Sequence, residues 1–145
     1  MKTIIKTFLC IAFFTSTVTF AQTKTFSSNN AHYADCPSPS EDFSFSWDEK
    51  SGKITNFYWN HSAGADLYYL YTNGSVVSKV VKDPETLYDY NVYLYVTTKK
   101  YATTAYQIRG RMTVNGTITN NKAVFSGVYE GTGTYWISAS GSFKY

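Results

Sequence analysis

Cysteine is almost absent from this chain of 145 residues, and that absence excludes a disulfide framework. Cys10 lies in an apolar N-terminal segment and Cys36 stands alone after it, so no internal bridge can form once that segment is removed. Stability must then come from packing. Cys36 sits in Asp35-Cys36-Pro37-Ser38-Pro39, a loop-like setting with no His or Lys beside it to lower its pKa. It reads as an idle thiol or as a bridge to a second copy in a dimer.

Long apolar runs are missing as well. The stretch Phe8 to Phe14 falls well short of the roughly 20 residues that a membrane helix needs. It follows Lys2 and Lys6 and leads to Thr19-Phe20-Ala21, the order of a secretory signal peptide with cleavage after Ala21. Residues 1–21 are read as that signal, which gives a secreted or periplasmic protein. Lys2 and Lys6 are two of the 13 basic residues, so the remainder carries 11 against 10 acidic ones and the net charge falls from +3 to +1. No basic stripe is left to hold phosphates, and nucleic acid is not expected as a partner.

Familiar catalytic signatures are lacking too. The sequence has no G-x-S-x-G, H-E-x-x-H, C-x-x-C or G-x-x-x-x-G-K-[ST]. Gly131-Thr132-Gly133 precedes a strand pattern rather than a helix, so it is no dinucleotide loop. With His32 and His61 far apart and one cysteine, neither a metal site nor a cofactor is expected.

Aromatic rings are what the chain does have: 14 Tyr, 3 Trp and 10 Phe, with every Tyr and Trp after residue 21. Such rings favour the pleated surface of strands. Residues 22–41 are polar, contain Pro37 and Pro39, and read as a lead-in or edge segment. Residues 42–145 read as one domain of eight strands: 43–47, 53–59, 67–72, 75–81, 90–98, 101–114, 122–130 and 134–145. Asn73-Gly74 marks a two-residue hairpin, and Asn115-Gly116 opens another reversal. An even set of antiparallel strands with one apolar face can close and leave no edge. The expected fold is therefore all-β, a closed eight-stranded antiparallel barrel, with a two-sheet sandwich as the alternative.

In the last strand Tyr135, Ile137, Ala139, Gly141, Phe143 and Tyr145 alternate with Thr134, Trp136, Ser138, Ser140, Ser142 and Lys144. Preceded by Gly131-Thr132-Gly133, the set Tyr135, Ala139 and Gly141 resembles the final hairpin of the allene oxide cyclase and dirigent-like barrels, which are lipocalin-like in shape. The resemblance implies a calycin-type barrel and, in its relatives, cyclisation of a reactive epoxide or the steering of phenoxy radical coupling. Only Gly131, Gly133, Tyr135, Ala139 and Gly141 carry over, as structural positions of the turn and strand. No catalytic position does.

With apolar faces inward, Gly110, Ala139, Gly141 and Gly127 would leave room beside Tyr106, Ile108, Met112, Tyr135 and Phe143. These five side chains, with His61 near one mouth, are the candidate binding residues for a small apolar or aromatic molecule. The same glycines also suit the sharp coiling of a small barrel, without any cavity. His61 and Asp66, between two strands, form a candidate proton shuttle. A cyclase- or isomerase-like enzyme in the same barrel is the runner-up to a binding protein. Two further alternatives are a small outer-membrane barrel, with Arg109 and Arg111 turned inward, and a surface adhesin that meets glycans or the cell envelope through exposed rings. Tyr58-Trp59 and Tyr68-Tyr69 are candidates for that role, since neighbours on a strand point to opposite faces. Arg109 and Arg111 otherwise belong to the solvated outer wall.

Overall fold

Alternation of apolar and polar side chains makes strands that can bury one face, and in the computed structural model they bury it by closing on themselves. The structure describes residues 22–33, 40–61, 66–117, 120–131 and 133–145. The N-terminal 21 residues, with Cys10, and the segment holding Cys36, Pro37 and Pro39 lie outside the described residues.

The strands are β1 (Thr23–Tyr33), β2 (Glu41–Asp48), β3 (Ile54–His61), β4 (Asp66–Leu70), β5 (Lys79–Lys82), β6 (Asp89–Thr98), β7 (Tyr106–Thr117), β8 (Asn120–Glu130) and β9 (Thr134–Lys144). They form one sheet in the order β4-β3-β2-β1-β9-β8-β7-β6-β5, and a further pairing of β4 with β6 closes it. Every pairing is antiparallel. The result is a closed eight-stave barrel, as the patterning implied.

Two of the staves differ from the sequence reading. The polar lead-in is largely β1, a full stave held between β2 and β9. Its alternation is hidden by an irregularity between Ser28 and Ala31: Lys24, Phe26 and Ser28 are buried before it, Ala31 after it. Across this kink the ladder to β9 is completed by side chains, with Ser28 Oγ donating to the Ser140 carbonyl (2.8 Å) and Ser140 N donating to Asn30 Oδ1 (2.9 Å). The second difference is at Asn73-Gly74, which makes no hairpin. β4 and β5 run in the same direction along one side of β6, with Leu70 paired to Val96 and Lys79 to Tyr93. They are two parts of one stave, interrupted by an excursion through residues 71–78. The second expected reversal is also displaced: Asn115 and Gly116 are still paired in β7, to Lys122 and Asn121.

Inside, Phe26, Phe43, Phe45, Trp59, Leu94, Ile108, Met112 and Phe125 are each at most 1% exposed. The hollow expected at the inward glycines is occupied. A Cβ on Gly110 would lie 2.5 Å from the Phe125 ring, and one on Gly127 would lie 2.7 Å from it. The missing side chains therefore make room for Phe125, which stacks on Phe43 at 5.3 Å and meets Phe45 edge-on at 6.2 Å. Gly141 has a separate reason: any Cβ there would strike the backbone carbonyl of Ser27.

Outside, charged pairs and serines stand among exposed rings such as Tyr58, Tyr69 and Trp136. Arg111 bridges Asp83 (2.9 Å) and Asp89 (2.7 Å), and Arg109 pairs with Glu130. Hydrogen bonds from Thr113 and Arg111 hold the Asp89 carboxyl below the usual carboxylate range. Both arginines are thus outer-wall residues, as the strand pattern indicated.

Candidate functional site

The two ends of the barrel are built differently. At one end Lys24, buried, reaches Glu49 at 2.6 Å and lies under the rings of Tyr90, Phe143 and Tyr145, which closes that end with a neutralised charge. The other end, where β1, β3 and β8 finish and β4, β7 and β9 start, gathers tyrosines.

Its floor is Trp59, fully buried, stacked on Tyr68 at 4.7 Å and 4.9 Å from the His61 ring. Tyr129 stands 5.8 Å from Tyr106 and 5.9 Å from Tyr68, and the Tyr68 hydroxyl donates to the Tyr129 hydroxyl at 3.3 Å. Tyr33 leans over this floor, 4.3 Å from His61 and 4.9 Å from Tyr135. Tyr106 and Tyr33 are half-buried and Tyr135 is 37% exposed, so these three rings form the rim.

A buried acid lies within this cluster. Glu41 is 3% exposed; its Oε2 accepts from Trp59 Nε1 (2.8 Å) and its Oε1 lies 3.0 Å from His61 Nδ1. A carboxylate in an apolar barrel is costly unless hydrogen-bonded, and these two contacts answer that cost. Strand register explains how they arise. Phe43 pairs with Trp59, so two steps further along β2 and β3 the inward side chains of Glu41 and His61 meet.

Burial raises the pKa of the Tyr129 hydroxyl far above the ordinary tyrosine value, and its bond to Tyr68 adds to this. Burial does the same for Tyr33, reinforced by Tyr135, Tyr68 and Glu41. Both remain neutral hydroxyls, able to donate, across the range in which proteins work.

Of the residues expected from sequence, Tyr106, Tyr135 and His61 meet at this mouth. Ile108 lies below it, opposite Tyr129 in the β7–β8 register, while Met112 and Phe143 belong to the packed body and the Lys24 end. Gly131 and Gly133 form the β8–β9 turn, with Gly131 N donating to the Gly133 carbonyl. His61 ends β3 and sits across the ladder from Asp66, the first residue of β4, rather than in a loop. Asp66's side chain lies outside the described residues, and His61's carboxylate partner is Glu41. Sequence reasoning missed Glu41, Tyr33 and Tyr129. Continuing the alternation of Phe43, Phe45 and Trp47 back by two residues would have turned Glu41 inward.

Among the described residues no three His, Cys, Asp or Glu side chains converge to hold a metal ion, and no helix is long and apolar enough to cross a membrane. Comparison with protein-family models, with curated proteins and with solved structures finds no match.

Proposed function

We propose that the protein is an exported barrel that binds a small apolar or aromatic molecule at its tyrosine mouth. The observation that carries this reading is the asymmetry of the barrel: the body is filled around Phe125, one end is closed by Lys24, and the other gathers half-exposed tyrosines over a buried Glu41–His61 pair. Ring faces supply apolar contact and neutral hydroxyls supply orientation, the combination that small-molecule sites use. The barrel is compatible with the resemblance to allene oxide cyclase and dirigent-like proteins, and the segment 1–21 supports export. Against the outer-membrane alternative, Ser138, Ser140, Ser142, Arg109 and Arg111 face outward among the exposed rings of the outer wall. A dimer through Cys36 stays a proposal, tested by electrophoresis without reductant.

Thermal unfolding of the chain without residues 1–21, against a panel of uncharged aromatic and fatty molecules, tests the site. A ligand that binds only the folded state raises Tm. Tyr135→Ala and Tyr106→Ala should each cut affinity about tenfold, the loss of roughly 1.4 kcal/mol of ring contact, while the unliganded Tm moves little because both rings are partly exposed. A panel with no shift, or one whose shifts survive both substitutions, defeats the reading.

A second reading has its own observation. On the outer wall Tyr58, Ser44, Ser27, Ser142 and Lys122 pair successively across β3, β2, β1, β9 and β8. A groove of about 540 Å³ runs over Ser27, Asn29, Asp42, Ser44 and Tyr58, whose ring is 42% exposed. Hydroxyls, an amide, a carboxylate and a stacking ring suit a glycan. Retention on a polysaccharide column that Tyr58→Ala reduces about tenfold, again roughly 1.4 kcal/mol, would favour this surface; retention unaffected by the substitution would discard it.

A further inference from the structure

We propose that Glu41 and His61 are a proton-transfer pair, and that the mouth removes a proton from a flat, uncharged substrate with an acidic C–H bond. The inference rests on the mouth being a binding site and adds chemistry to it.

Geometry supports it in three ways. His61 Nδ1 faces Glu41 Oε1 at 3.0 Å, and the second carboxylate oxygen is fixed by Trp59 Nε1 at 2.8 Å. In a neutral imidazole that contact places the proton on Nδ1 and leaves Nε2 as the acceptor. Among the described residues, no hydrogen bond reaches Nε2. Second, Tyr33, Trp59 and Tyr68 surround the imidazole with aromatic rings. Such ring faces suit contact with a planar molecule, and the facing Glu41 oxygen offsets what burial would otherwise cost a protonated imidazole. Third, Glu41 Oε1 lies against the ring, at 3.0 Å, so a proton taken up by His61 would be shared with a facing acid. Glu41 therefore positions His61 and does not touch the substrate.

The step is a simple exchange. Nε2 takes the proton from carbon, the C–H electron pair passes into the substrate, and negative charge develops on a substrate heteroatom near tyrosine hydroxyls that remain protonated.

A probe that requires only such a base is 5-nitrobenzisoxazole. Loss of its C3 proton opens the ring, the C–H electron pair forming the nitrile as the N–O bond breaks, and the single product, a cyano-nitrophenolate, is coloured. The proposal expects turnover above buffer, a fall in kcat/KM of about a hundredfold in His61→Gln, and about tenfold in Glu41→Gln, where the amide oxygen still accepts from Trp59. Added imidazole should restore rate to His61→Ala. The 3-methyl analogue has the same shape without the acidic C–H, and its binding is read from the shift in Tm. If it binds while the probe turns over no faster than in His61→Gln, the proton-transfer role is overturned and the binding reading survives. If it does not bind and no turnover is seen, both fall. A His61→Gln chain that does not fold leaves the decision to Glu41→Gln, for which an unchanged kcat/KM overturns the pair.

Discussion

Replacing Phe125 with alanine lowers the stability of the barrel by about 3–5 kcal/mol and hollows its centre. The ring is fully buried between Phe43 and Phe45, and the positions facing it, Gly110 and Gly127, have no side chains that can move into the gap. Little collapse is available, so the cost lies toward the upper part of that range. An apolar void of this kind stays dry and accepts a small apolar guest. Thermal unfolding with and without benzene measures both effects: the Phe125→Ala protein melts lower, and benzene raises its Tm by more than it raises that of the parent, where only the tyrosine mouth is open to it. The converse substitution, Gly110→Ala, places a methyl 2.5 Å from the Phe125 ring and 2.7 Å from the Ser126 carbonyl, at a cost of about 1–3 kcal/mol. In the Phe125→Ala background the ring clash disappears and the carbonyl clash remains, so a double-mutant cycle shows partial relief. Additive costs, or a benzene shift in the parent as large as that in Phe125→Ala, would contradict a centre plugged by Phe125.

The same glycines mark where sequence and structure part. Alternation over Tyr106 to Val114 and Tyr135 to Phe143 identified strands, faces and closure, because a two-residue period does not depend on what fills the interior. Whether a small inward residue leaves a void depends on the residue across the ladder. Gly110 and Gly127 are directly paired, and the ring that uses their space comes from Phe125, two residues before Gly127. β1 was harder to recognise because its irregularity between Ser28 and Ala31 shifts the period, and its Ser, Thr and Asn residues give little contrast between faces. At Asn73-Gly74 a strong local turn preference met a tertiary arrangement in which β4 and β5 share one stave, and pairing with β6 prevailed. The mouth was only half legible. Tyr106, Tyr135 and His61 followed from alternation and position; the same alternation carried back from Phe43 turns Glu41 inward, but its meeting with His61 follows only from the β2–β3 register.

Raising the pH above about 10 should unfold this protein earlier than its outer-wall ion pairs alone would suggest. Tyr33 and Tyr129 have folded-state pKa values raised above the ordinary 10.0, mainly by burial. Below pH 10 both states hold these protons and the two groups contribute no slope. Above it the unfolded chain releases them and the folded chain does not, so stability falls with rising pH until the folded groups themselves ionise. The loss is about 1.4 kcal/mol per pH unit for each tyrosine, or about 2.7 for the pair, against a total stability typically of about 5–15 kcal/mol. Urea midpoints measured between about pH 8 and pH 12 should be flat on this account at first and then fall steeply. Absorbance of the phenolate should show a late step that coincides with unfolding. Tyr129→Phe separates this mechanism from general alkaline repulsion. It sacrifices the hydrogen bond from Tyr68, about 1 kcal/mol near neutral pH, yet removes one of the two withheld protons and so should reduce the alkaline slope by about 1.4 kcal/mol per pH unit. An unchanged slope in that variant would mean that the Tyr129 hydroxyl meets solvent, and the mouth would then be an open rim without the buried floor on which the proposed site depends.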